Sequence, residues 1–198
     1  MPPELTAAME ATAAAVFNAA TTTLLPQGLS PSPQVFVFDR LGGDRLVGQV
    51  TCRPYRRGQD AAVAIAELGR IAAGVVGTDL LVFWEEFNLR TSLYGSSEQH
   101  PKALVILQAT LQSHFLTWFP FESDVLSWRA NGLPDDVRIR RGAPTDTVEG
   151  AQLSEPIYRL LGLWRAGIVA YDFDECRRIV TSAVKDGYDV SFVTQSHD

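Results

Sequence analysis

Cysteine, histidine and lysine are scarce in this chain, and each scarcity excludes something. The two cysteines, Cys52 and Cys176, are far apart and belong to no C-x-x-C pair. A disulfide framework and a cysteine-based zinc or redox site are therefore not expected, and both residues read as small buried hydrophobes. The three histidines are His100, His114 and His197. No two have the spacing that places a pair of imidazoles on one metal from a single element. Ser113 beside His114 makes no dyad, because neighbours on a strand point to opposite faces. Walker A, G-x-G-x-x-G, H-E-x-x-H, G-x-S-x-G and EF-hand patterns are all missing, so no cofactor or metal is expected.

Lysine occurs twice against fifteen arginines, and the net charge is −6. Phosphate neutralisation supplies most non-specific affinity for nucleic acid, so this balance argues against a nucleic-acid partner and against anionic membrane. Arg53, Arg56 and Arg57 surround Tyr55, and Arg138, Arg140 and Arg141 follow Trp128. Asp60, Asp135 and Asp136 lie beside them, which suits solvated turns better than a nucleic-acid face. Charge is also missing from Ala11 to Phe38, but Pro26, Gly28, Pro31 and Pro33 interrupt the stretch well short of the ~20 apolar residues a membrane span needs. The opening Met1-Pro2-Pro3-Glu4 is acidic where a signal peptide is basic, and a cytoplasmic protein is expected.

Apolar residues make up 46% of the chain, enough for a core without staples. One domain over 1–198 is expected, with any internal boundary in the Gly/Pro-rich stretch 131–153 and a C-terminal helical lobe over 154–187. The first helix should run from Glu4 to Leu25. Its uncharged outer face suggests cover on more than one side, and Val16 and Phe17 are the expected anchors of self-association through it. Val35 to Phe38 reads as a strand buried on both faces, turning at Leu41 to Asp44 into a partner strand, Arg45 to Cys52. Asp60 to Val76 reads as an Ala-rich core helix with Glu67 and Arg70 at its wet edge. Ser154 caps a helix with Ile157, Leu160, Leu161 and Trp164 in its apolar stripe, and Asp172 with Glu175 opens another. Tyr188 to Thr194 offers a last strand. The fold class is α+β: a mainly antiparallel sheet of about four to six strands packed by helices.

Two stretches carry the candidate chemistry. Asp79 to Leu93 alternates as a strand, and Ala103 to Phe115 alternates likewise, although a helix also fits the second stretch. Paired as a hairpin, they place Trp84, Glu86, Asn88 and Arg90 on one polar face, with Gln108, Thr110, Gln112 and His114 beside them. That face is either a binding surface or an ordinary solvated sheet face. Glu85 falls on the apolar side of the same strand. It is either a tuned acid or metal ligand, or the product of a β-bulge that lets both carboxylates reach water; the bulge is the preferred explanation. The expected function is a non-enzymatic protein–protein interaction or assembly module. The alternative is a small hydrolase of phosphoesters or amides, with or without a divalent metal, using Glu85, Glu86 and His114.

Overall fold

The computed structural model describes residues 5–193, so His197 lies outside the described residues. Thr6 caps the first helix, α1 (Ala7–Ala19), by accepting a bond from the Met9 amide. The expected helix continues to Leu25 but changes pitch, as a π-helical turn over Ala20–Leu24 and a 3-10 turn over Leu25–Gln27. Thr21 and Thr22 donate their hydroxyls back to the Phe17 and Asn18 carbonyls there, a competition that disturbs regular helix.

Strands β1 (Gln34–Asp39) and β2 (Arg45–Thr51) form the expected hairpin, with Gly43 and Asp44 at positive φ in the turn. Helix α2 (Gln59–Val75) follows, then β3 (Asp79–Glu85), α3 (Glu86–Tyr94), β4 (Ala103–Thr110), the long β5 (His114–Trp128), β6 (Pro134–Arg141) and the two-residue β7 (Val148–Glu149). Helices α4 (Glu155–Val169) and α5 (Phe173–Lys185) and strand β8 (Asp189–Phe192) end the described chain. The protein is α+β. Among the described residues, eight strands form one antiparallel sheet in the order β6-β5-β4-β3-β1-β2-β8, with β7 against β5. The eight strands exceed the expected four to six, and β8 falls where the last strand was expected, within 188–194.

The doubly apolar strands have a simple cause: both sheet faces are covered. Val35 and Val37 face α2, α4 and α5 together with Leu80, Val82, Val105 and Leu107. Phe36 and Phe38 face α1 together with Leu81, Phe83 and Leu104. Val16 and Phe17, expected as anchors of self-association, pack against that second cluster within the molecule. The C-terminal helical part joins the first layer, where Ile157, Leu160 and Trp164 are fully buried. No helix among the described residues is long and apolar enough to cross a membrane.

Candidate functional site

The strand expected over Asp79–Leu93 ends at Glu85. Its backbone is extended while its side chain turns forward: one carboxylate oxygen accepts the Phe87 amide at 2.9 Å and the other the Asn88 amide at 2.7 Å. Glu85 is thus the N-cap that starts α3, and neither a bulge nor a continued strand is present. Leu89 and Leu93, four apart, suit the same side of a helix as well as of a strand, so the alternation did not separate the two. Ser30 adds a third bond to Glu85 at 3.1 Å. Burial pushes the Glu85 carboxyl above its ordinary range, and the two capping amides and Ser30 only partly offset this.

The expected binding face is therefore redistributed. Trp84 is buried in the core beneath the helical layer rather than exposed. Its indole N–H donates to Glu86 at 2.6 Å, and Arg90 donates to the other Glu86 oxygen at 2.5 Å. Glu86 is itself buried, so this Trp–Glu–Arg chain satisfies an otherwise costly charge. Asn88 and Arg90 sit on α3, off the sheet. The segment 103–110 is a strand, but Trp84 pairs with Val105 and Leu81 with Gln108, a register different from the expected one because β3 stops at the cap.

His114 opens β5 opposite Ala109, and its Nε2 lies 2.9 Å from the Ala151 carbonyl oxygen. Glu85 stands opposite Leu104, five positions along β4, roughly 17 Å away at strand rise. Glu85, Glu86 and His114 therefore do not converge in one cleft. Among the described residues, no three His, Cys, Asp or Glu side chains group as a metal would need. Within the two arginine clusters Arg53 pairs with Asp60 and Arg140 with Glu122 and Asp124, while Arg141 donates to the Thr21 hydroxyl.

Glu85 instead borders a groove that sequence reasoning missed. Strand β4 covers β5 only as far as Pro120, and the Phe121 amide makes a last bond to the Lys102 carbonyl. Beyond it, Phe121–Trp128 continues for roughly 27 Å paired with β6 alone. This hairpin folds back over the π-helical and 3-10 turns, where Arg141 donates to Thr21 and Gly28 packs against Pro134. The space beneath it is about 290 Å³, with Leu25, Leu29, Phe87, Phe121, Val137 and Ile139 as its main apolar lining. Its polar groups are Ser30, Glu85, Ser123 and Lys102, whose ammonium donates to the Ser123 hydroxyl at 2.8 Å.

Backbone polarity completes the site. In an antiparallel ladder alternate residues point both their N–H and C=O to the same side. Phe121 addresses the β4 side and Pro120 accepts from Gly142 on the other, so Ser123 addresses the side where β4 has ended. The lining comes from five separate stretches, 25–30, 85–87, 102, 121–125 and 134–139, which left no signal in the sequence. Comparison with protein-family models, with curated proteins and with solved structures returned no significant match.

Proposed function

We propose that this protein is a non-enzymatic interaction module that takes an extended segment of a partner protein along the free edge of β5. The observation that carries the reading is the stretch of β5 beyond Phe121, paired with β6 on one side and open on the side β4 has left, lying over an apolar groove. Addition of a strand to an open edge draws affinity from main-chain bonds and specificity from alternate side chains entering pockets. A groove of about 290 Å³ is at or below the usual size of a small-molecule pocket and has room for a few side chains. Lys102 is exposed at its mouth and suits a carboxylate on the incoming segment, whereas every Glu85 oxygen is already bonded. The hydrolase alternative gains no support from the separation of Glu85 and His114.

Selection of displayed random ten-residue peptides on the purified protein tests the reading. Selected peptides should alternate apolar residues, carry an acidic position, and protect the Ser123 amide from hydrogen exchange. Ser123→Pro removes that donor without removing a β5–β6 bond, because Ser123 sits at a non-bonded position opposite Ile139. It should abolish binding with the fold intact. Peptides that bind elsewhere, or that ignore Ser123→Pro, would refute the proposal.

A further inference from the structure

Lys102 stands where a strand added to β5 has to stop. Strand β4 runs antiparallel to β5 and pairs Ala103 with Pro120, and the Lys102 carbonyl accepts the Phe121 amide. The line beside β5 is therefore filled from Lys102 onward. The loop before it, 95–101, makes no main-chain bond to β5 among the described residues; its His100 ring meets Phe87 of α3 at 6.2 Å instead. No main-chain bond among the described residues reaches Ser123 or Val125 from the open side. A segment added there extends the line of β4 backwards, with one end abutting Lys102.

Pairing and charge decide which end that is. An antiparallel segment runs the same way as β4 and brings its C-terminal end to Lys102, whereas a parallel one brings its N-terminal end. The Lys102 ammonium is exposed, has no carboxylate partner among the described residues, and lies 2.8 Å from the Ser123 hydroxyl oxygen. It would repel a terminal ammonium and attract a terminal carboxylate. Ser123 accepts from Lys102, so its own hydroxyl proton is free to donate. In an antiparallel pair the residue opposite Ser123 takes the Ser123 amide on its carbonyl oxygen. If that residue ends its chain, the oxygen belongs to a carboxylate facing the Ser123 N–H, the Ser123 hydroxyl and Lys102. An internal segment would have to turn out of the sheet within about one residue of the same point, because β4 fills the space ahead. The other charged residue lining the groove, Glu85, is two strands from β5, roughly 10 Å at sheet spacing, and its oxygens are already bonded.

Side chains directly opposite one another share a face, and Ser123 and Val125 both line the groove. The last and third-last residues of the segment therefore enter it, and about 290 Å³ suits two aliphatic side chains. Resting on strand addition at this edge, we infer that the occupant is the C-terminal tail of a partner protein. It lies antiparallel to β5 with aliphatic last and third-last residues, and the acidic group at Lys102 is the chain terminus itself.

Two random decapeptide libraries test this, one displayed with a free C-terminus and one tethered through its C-terminus. Binders should come from the first, with aliphatic residues at the last and third-last positions. The most enriched peptide, synthesised as acid and as amide, is the probe in fluorescence anisotropy. The acid should bind about tenfold tighter, the scale of a charge-assisted hydrogen bond. Lys102→Met, at an exposed position, should remove that difference with the fold intact. A spin label on the peptide's N-terminus should broaden NMR amide signals near Trp128 and spare those of residues 102–104. Equal enrichment from both libraries, equal binding of acid and amide, a preference unchanged in Lys102→Met, or broadening at 102–104 would each overturn the C-terminal assignment. Strand addition would survive any of these provided the Ser123 amide was still protected from exchange. No binder from either library, or binders that leave Ser123 unprotected, would refute both.

Discussion

Glu85 closes a strand buried on both faces, and its carboxylate exists there because α3 needs its first amides satisfied. Burial holds its folded pKa above the unfolded value, so the folded state binds the proton more tightly. The stability this gives is present at low pH and is lost as pH rises from about 4.5 through the raised folded value. Glu85→Gln removes the titration. The unfolding free energy of the variant minus that of wild type should therefore climb between pH 4 and pH 7 in urea melts. A flat difference would show that the carboxyl ionises as easily folded as unfolded. Val76 is the other residue held at a cost, with φ at 63°, a conformation that β-branched side chains resist. Val76→Gly relieves backbone strain of about 1–3 kcal/mol and adds about 0.5–1 kcal/mol of chain entropy, a net gain of roughly 0.5–2 kcal/mol in the same assay.

Between elements, the tightest constraint is the crossing of α2 and α4. A Cβ on Gly69 would run into the Leu160 carbonyl, which is backbone and cannot rotate away. Gly69→Ala should gain about 1 kcal/mol of helix propensity yet lose more through the forced separation, for a net loss of ~2 kcal/mol or more. Ile65→Ala, emptying a fully buried site on the same helix, should cost about 2–5 kcal/mol. Denaturant midpoints check both. The core face of α2, the β1–β2 hairpin and the cap at Asp172 were legible because period, turn chemistry and capping pattern are local signals. The partner of α2 was not, since small residues advertise close approach without naming what approaches. The strand read through Glu86 failed because leucines four apart satisfy both periods, and only the bonds made by the Glu85 side chain distinguish them. Glu85 itself was legible as an anomaly, a carboxylate in an apolar run, although its cause is a helix start.

At the scale of the whole molecule, the sheet is covered unequally, by three helices on one face and by α1 with its following turns on the other. Helix α1 has put its large side chains inward: Met9 is fully buried, and Phe17 meets the Phe119 ring at 5.0 Å and the Arg141 guanidinium at 5.2 Å. What remains outward is mostly alanine, threonine and asparagine. A 13-residue helix is about 20 Å long and 10 Å wide, so a symmetric α1 contact would bury on the order of 400 Å² in total. Stable interfaces bury about 1,200 Å² or more, and this helix alone falls well short. Its contribution should therefore appear as stability and not as association. Phe17→Ala should cost about 1–3 kcal/mol, below the range for a fully buried phenylalanine because Phe17 is only partly buried. Light scattering of the folded variant should give the same molar mass as wild type. If the variant instead keeps its stability and changes mass, α1 is an interface, and the inward packing of Phe17 is not what holds the helix to the sheet.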